Sequence, residues 1–520
     1  MQLPTEYNTP VKDSYGKFHL CKPVFVTVSG GKNVAYITQE GIEIKREPVH
    51  RYKNRIMRRK GEKLIDAQAD SAAFFIPDKE RLIVQQLRNF VSDDSYTVAL
   101  VSGIRKVGKT TALRQLERSC SRAVFVDLTH AGVGFSAIKE ALTDKNTKLL
   151  LLDEFSQLDD FDSTAQFIHD MTAAAGRTVK VIMTGSSAAH ITRLRRSKLG
   201  GGRARLFRLP PVMFIEYLFM TGKIPSYADY SDVRNEHFAD YLALDGLTPT
   251  LRIQFDSQYF SDFYDDVHDS NKKSSLTSSL VDLEYGDLQA MADIIAYKLS
   301  EARKVDLSDA FMTISKDRVG RPISAVDKGR ILSFLLWTGL ANMEVTRQND
   351  VSKPLPAHEL LGLLANAKTN DDLAMAFKKA SICLTSPLFY TRLGKDIYER
   401  AGVHTDELFS GGRLLGMMFE VYVRGMFSQH KGDVIMSSTK LHYPGFGEVD
   451  IYDENAGLMC EVSIHNKEDE NVHVQDYFRG MALTRICSSW DKDGDYNGVR
   501  HIPYAKLCCA IDTGEIFDIT

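Results

Sequence analysis

The chain has 520 residues, too many for one hydrophobic core, so roughly two to four domains are expected. Its 65 Lys and Arg against 68 Asp and Glu leave a formal charge of −3, which excludes a globally basic nucleic-acid coat. With 43% apolar and 26% charged residues, wholesale disorder is excluded too.

The first ten residues, MQLPTEYNTP, lack the charged segment and apolar stretch of a secretory signal. The most apolar run, Ile331 to Leu336 with Trp337 after it, falls far short of the ~20 residues of a membrane span. Seven cysteines, at 21, 120, 383, 460, 487, 508 and 509, show no CxxC spacing. The expectation is a soluble cytoplasmic protein with reduced thiols, away from the membrane.

Residues 1–75 read as a β-rich arm. Val24 to Val28 and Val34 to Ile37 are β-branched runs separated by Ser29-Gly30-Gly31, a hairpin signal. A basic run over 45–63 follows, with nine Lys or Arg against two Glu; it suits either a polyanion contact or a solvated face. Over 76–211, apolar strands alternate with helical stretches, the pattern of a parallel sheet covered by helices. Strands are expected at 97–102, 123–128, 149–152, 179–184 and 206–209, with a helix over 110–119. Residues 212–384 turn helical and aromatic. Within them a winged-helix unit is expected over 305–347, with a helix at 327–337 and a strand at 341–346. Residues 385–520 read as mixed α/β, with strands near 448–452 and 458–464.

Gly103-Ile-Arg-Lys-Val-Gly108-Lys109-Thr110-Thr111 matches GxxxxGK[ST], after a strand and opening a helix. In such a loop the backbone N–H groups of Gly103, Lys106, Val107, Gly108 and Thr111 wrap the phosphates of ATP. Lys109 reaches the β- and γ-phosphates, and the Thr110 hydroxyl ligates Mg²⁺. The apolar strand Leu149 to Leu152 ends in Asp153 and Glu154, 44 residues after Lys109. A buried parallel strand delivers its last residues to the sheet edge that carries the phosphate loop. Asp153 is therefore expected in the Mg²⁺ shell and Glu154 beside the attacking water. The next strand ends in Thr184-Gly185-Ser186-Ser187, where Ser186 serves either the γ-phosphate or a plain turn. Seven Lys or Arg and no acid lie in 193–208; Arg203, after three glycines, is the preferred arginine finger.

Together the phosphate loop, LLLLDE, VIMTGSS and GGRARLFRLPPVMFIEY resemble a large family of prokaryotic AAA-type ATPases. These carry an additional strand between the acidic motif and the phosphate loop (the ASCE arrangement). Many members continue into a C-terminal domain of restriction-endonuclease-like, PD-(D/E)xK fold and unknown function. The resemblance extends more loosely through 244–267, SPLFY (386–390), GRLLGMMFEVYV (412–423) and GEVDI (447–451), and leaves out the N-terminal arm. It implies an α/β architecture: a P-loop ATPase core, a helical or winged-helix connector and an endonuclease-like end.

A nuclease of that type gathers two or three carboxylates round Mg²⁺ and adds a lysine. Glu420 on a helix, Asp450 at a strand end and Glu461 on the neighbouring strand supply the carboxylates, but Ser463 stands where the lysine is expected. Three readings stay open: Lys467 swings in, His465 acts as base, or the fold only binds.

The resulting expectation is an ATP- and Mg²⁺-dependent ATPase that couples nucleotide state to its C-terminal domain and works on or with nucleic acid, in a defence setting if the family is a guide. The alternative is a nucleotide-gated binding module for a protein or nucleic-acid partner. An arginine finger acting in trans would require a homo-oligomer; one acting in cis would not.

Overall fold

A computed structural model describes residues 9–12, 18–28, 31–38, 43–48, 77–104, 107–129, 134–155, 158, 161–173, 179–185, 204–243, 324–326, 329, 332, 336, 339–348, 363, 366, 368–369, 371–372, 380–389, 413–430, 437–443, 447–453, 456–465, 484–496 and 498–518. The chain divides into two compact units, Met1–Pro77 and Asp78–Thr520.

In the first unit, β1 (Thr9–Lys12), β2 (Phe18–Val28), β3 (Gly31–Thr38) and β4 (Glu43–Pro48) form an antiparallel sheet in sequence order. Val28 pairs with Gly31, where the sequence carries its hairpin signal. The basic run begins inside β4; its part from 49 to 63 lies outside the described residues.

The second unit begins with α1 (Leu82–Ser92). It then alternates β5 (Val98–Ser102), α2 (Lys109–Arg118), β6 (Ala123–Asp127), α3 (Phe135–Thr143), β7 (Leu149–Asp153), α4 (Phe161–Ala173), β8 (Lys180–Gly185) and β9 (Ala204–Arg208). The five strands make one parallel sheet in the order β6-β7-β8-β5-β9. β8 thus separates the acidic strand β7 from β5, which leads into the phosphate loop.

Strand side chains alternate between faces, and both faces are covered, so β7 is apolar from Leu149 to Leu152, up to the Asp153 at its end. Leu149 and Leu151 join Ala99, Val101 and Ile182 under α1 and α2, whereas Leu150 and Leu152 join Val98, Leu100 and Met183 under α3 and α4. In α1, Ile83, Leu87 and Phe90 recur at helical spacing and supply the buried stripe.

The α1–α2 face continues without a break into the rest of the unit. Two short helices, α5 (Phe214–Thr221) and α6 (Glu236–Ala243), follow the ATPase sheet. The long α7 (Arg413–His430) and the terminal α8 (Tyr504–Thr513) pack against them. Phe214, Phe238, Tyr241, Phe419, Tyr422 and Tyr504 interlock edge to face; the Phe238 ring lies 5.6 Å from that of Tyr422 and 6.1 Å from that of Tyr504. In the aromatic stretch after 212, Phe214 and Tyr217 are buried in this core, while residues 259–264 lie outside the described residues. α8 is buried nearly all round, follows Pro503 and stops at Gly514 in the left-handed region, φ +84°. Cys508 and Cys509 are thus two free, buried thiols of one helix.

Two further sheets complete the unit. The first is β11 (Ala380–Leu384), β10 (Ala341–Gln348), β12 (Ser437–Tyr443) and β13 (Gly447–Val449), in that order. The strand expected in a winged helix is β10, but its partners are β11 and, in parallel, β12. It is an inner strand of a C-terminal sheet, its neighbours at 380–384 and 437–443 being set by long-range pairing that local sequence does not encode. The helix expected over 327–337 is described only at 329, 332 and 336, where Leu332 and Leu336 are buried. The second sheet is β14 (Ile451–Asp453), β15 (Leu458–Glu461), β16 (Thr484–Ser489), β18 (Val499–Pro503) and β17 (Gly494–Tyr496). The strand expected over 448–452 is broken at Asp450, where the chain passes from one sheet to the other. Among the described residues no helix is long and apolar enough to cross a membrane.

Candidate nucleotide site

The carboxyl end of β5 runs into the phosphate loop through Gly103, whose hypothetical Cβ would lie 2.5 Å from the Leu209 carbonyl oxygen at the end of β9. Only a glycine permits that approach. At the other end of the loop Gly108 has φ +101° and opens α2, directing the first N–H groups of the helix at the loop. Lys109 is only 5% exposed, and its Nζ donates to the carbonyls of Gly103 (3.0 Å) and Ile104 (3.1 Å). The same ammonium lies 4.0 Å from Glu154 Oε1.

Asp153 is the hub. The Thr110 hydroxyl donates to its Oδ2 at 2.6 Å and the Thr184 hydroxyl to its Oδ1 at 2.6 Å. Burial pushes the Asp153 carboxyl above its ordinary range and Glu154 pushes the same way, while the two hydroxyls and Lys109 oppose them. Thr184 Oγ1 also accepts the Glu154 N–H at 3.0 Å. Glu154 itself sits at φ +52°, a left-handed conformation that costs a side-chain-bearing residue roughly 1–3 kcal/mol and turns it out of the strand. One sheet edge therefore gathers an ammonium, two hydroxyls and two carboxylates. A hydroxyl and a carboxylate are the hard oxygen donors that suit Mg²⁺, and N–H groups with a lysine suit phosphate, so the donor set fits ATP with its metal.

Behind the loop lies a buried ion pair. Arg81, 5% exposed, donates through Nε and Nη2 to Glu216, which is fully buried. Arg81 Nη1 donates to the Val107 carbonyl in the phosphate loop at 2.6 Å, and its Nη2 also to the Pro210 carbonyl at 2.8 Å. Glu216 accepts in addition the backbone N–H groups of Leu82 and Met213, each at 3.0 Å.

Residues 95–218 match the AAA domain family. The match covers the phosphate loop, Asp153, Glu154, Thr184 and Glu216, and leaves out Arg81. A search of curated proteins finds no match. Among solved structures, the Walker-type ATPase of Pyrococcus abyssi is 12% identical, with TM-score 0.28, over 52% of this chain and 94% of its own. The ORC1 protein of Aeropyrum pernix, solved with DNA, is 12% identical, with TM-score 0.26, over 64% of this chain and 96% of its own. AMPPCP-bound DnaA of Aquifex aeolicus is 16% identical, with TM-score 0.25, over 50% of this chain and 85% of its own. This chain thus carries an AAA-type, ATPase-like core on a parallel five-stranded sheet.

The fold brings Gly103, Val107, Gly108, Lys109, Thr110, Asp153 and Glu154 to one place; Thr111 follows on the first turn of α2. Lys106, Ser186 and Arg203 lie outside the described residues. Thr184, in the same TGSS stretch as Ser186, is the hydroxyl that reaches Asp153, and its place at the end of the neighbouring strand is the sequence signal for it. Arg81 left a fainter trace: Glu216 is a lone acid inside the apolar run PVMFIEYLF, and such a group requires a buried partner.

Of the C-terminal carboxylates, Glu420 lies on α7, Asp450 between β13 and β14, and Glu461 at the end of β15. Glu420 and Glu344 both pair with Arg424, which is largely buried, and Asp450 Oδ1 stands 3.6 Å from the same guanidinium. Asp450 Oδ2 accepts the Val462 N–H at 3.0 Å, which sets it beside the end of β15 and Glu461. The arginine, not a lysine at 463, brings positive charge to these acids. Ser463 is held locally: its N–H donates to Ser488 Oγ at 2.5 Å, the Ser488 hydroxyl donates to its carbonyl at 2.6 Å, and its own Oγ accepts the His465 N–H at 3.1 Å. Lys467 lies outside the described residues. Among the described residues no group of three or more His, Cys, Asp or Glu is placed to hold a metal ion.

Proposed function

We propose that the chain binds ATP with Mg²⁺, hydrolyses the γ-phosphate bond, and uses nucleotide state to govern its C-terminal region on or beside nucleic acid. The observation that carries this reading is the joining of Thr110 to Asp153 at 2.6 Å, with Lys109 4.0 Å from Glu154. Lys109 exchanges its two loop carbonyls for phosphate oxygens. Thr110 and Asp153 would hold the metal, which would supply positive charge to the phosphate oxygens. Glu154, turned out of the strand, orients the attacking water and takes its proton. Arg203, in the arginine-rich 193–208 stretch, is the proposed source of positive charge at the γ-phosphate. Lys109→Ala is expected to abolish ATP binding. Glu154→Gln is expected to keep ATP bound while turnover falls ~100-fold or more. Turnover at the wild-type rate in Glu154→Gln sinks the water-handling role.

A second reading, a nucleotide-gated binding module, is favoured by Arg424. A guanidinium already paired with Glu344 and Glu420 next to Asp450 occupies the charge that a nuclease site keeps for its metal. On this reading the endonuclease-like end binds a nucleic-acid or protein partner without cutting it.

A further inference from the structure

Resting on the ATP-binding reading, we propose that Arg81 is a positioning residue that holds the phosphate loop in its anion-binding shape and couples it, through Glu216 and α5, to the C-terminal helices α7 and α8.

The peptide after Val107 is planar and trans, so its carbonyl and the following N–H point in opposite directions. Arg81 Nη1 holds the Val107 carbonyl from one side at 2.6 Å. The Gly108 N–H is thereby turned to the other side, the direction a phosphate cradle needs. A Cβ on Gly108 would lie 3.9 Å from Arg81 Nη1, so the guanidinium stands directly behind this turn.

The same guanidinium grips Glu216 on the first turn of α5, and two of the N–H groups at that turn are bound from far along the chain. Met213 N–H goes to Glu216 itself, Phe214 N–H to the Tyr422 hydroxyl of α7 at 2.7 Å, and Ile215 N–H to Asp512 of α8 at 3.0 Å. The Tyr422 hydroxyl is shared with Asp512 at 2.7 Å. A buried path of hydrogen bonds, joined by the backbone of the first turn of α5, therefore runs from Val107 through Arg81 and Glu216 to Tyr422 and Asp512. A loop that tightens on phosphate pulls on this path, and helices that shift pull back; coupling between two binding equilibria is reciprocal. Arg81, Tyr422 and Asp512 all lie outside the matched 95–218 stretch.

The test combines ATP titration with hydrogen exchange of the 504–513 amides, with and without ATP. In the wild type, ATP is expected to slow exchange in 504–513. Arg81→Lys keeps a cation beside Glu216 but loses the fork that reaches Val107 at the same time. It is expected to fold, to bind ATP about 10-fold more weakly and to lose the ATP-linked protection of 504–513. Tyr422→Phe, which leaves Arg81 in place, is expected to lose most of that protection; it decides the matter should Arg81→Lys fail to fold. Wild-type ATP affinity in Arg81→Lys, or unaltered ATP-linked protection in Tyr422→Phe, overturns the inference. A wild-type chain that binds no ATP overturns the ATPase reading and this inference together. Binding lost in Lys109→Ala but intact in Arg81→Lys overturns this inference alone.

Discussion

Asp153 shows how one residue can be pulled in two directions. Burial favours its neutral form, whereas a metal ligand must be ionised; the hydroxyls of Thr110 and Thr184 offset part of the burial. Thr184→Val deletes one of those hydroxyls and also strips the Glu154 N–H of its acceptor. The Asp153 carboxyl then rises further above the ordinary range. Because the working form is the ionised one, the acid limb of the ATPase pH profile should move to higher pH, with turnover at neutral pH down ~10-fold or more. An unshifted limb in Thr184→Val would count against Asp153 as the titrating group. The two acids were legible in the sequence because an apolar strand ending in charge is a local signal. Arg81 was less so, because its partner Glu216 lies 135 positions away and only that lone acid in an apolar run signals that a buried cation exists somewhere.

The start of α5 illustrates what a short helix needs in order to persist. A helix leaves its first N–H groups without internal partners, and here the acceptors come from its own third residue, from α7 and from α8. One of them, Asp512, is pushed up to about 8, first by burial and then by Glu216, against the pull of Ile215 N–H and Tyr422. The unfolded chain releases this proton near the ordinary carboxylate value of 3.8, and the folded chain holds it to about 8. Stability from this group is therefore full at acidic pH, declines as pH rises through that window and levels off above it. Asp512→Asn cannot ionise, so melting temperatures of wild type and variant should diverge by a few degrees between pH 5 and pH 8, to the wild type's disadvantage at the alkaline end. A difference that stays constant over that range would contradict the assignment. Elements of the core strands were readable because each carries its own apolar run. The strand at 341–348 was readable as a strand but not in its placement, since its partners at 380–384 and 437–443 are fixed by long-range pairing.

For the molecule as a whole, the near-neutral charge conceals two basic stretches, 45–63 and 193–208. If they track a nucleic-acid backbone, binding should weaken steeply as salt rises, because each neutralised phosphate releases counterions. A salt-insensitive affinity points to a protein partner instead. With Arg424 seated among Glu344, Glu420 and Asp450, Mg²⁺-dependent cleavage of DNA or RNA is expected to be absent. Cleavage that Asp450→Ala eliminates would restore the nuclease reading.

The stretch that carries the ATPase motifs cannot be excised along its own borders. Its last helix depends on a tyrosine and an aspartate supplied 208 and 297 positions later, and its loop leans on an arginine that precedes it. A fragment spanning 95–218 would bury Glu216 without Arg81, a loss of roughly 3–5 kcal/mol for a broken buried pair. Such a fragment should aggregate or melt without cooperativity, which calorimetry of 95–218 would show. The hydrogen bonds that hold this stretch thus come from chain made both before it and long after it.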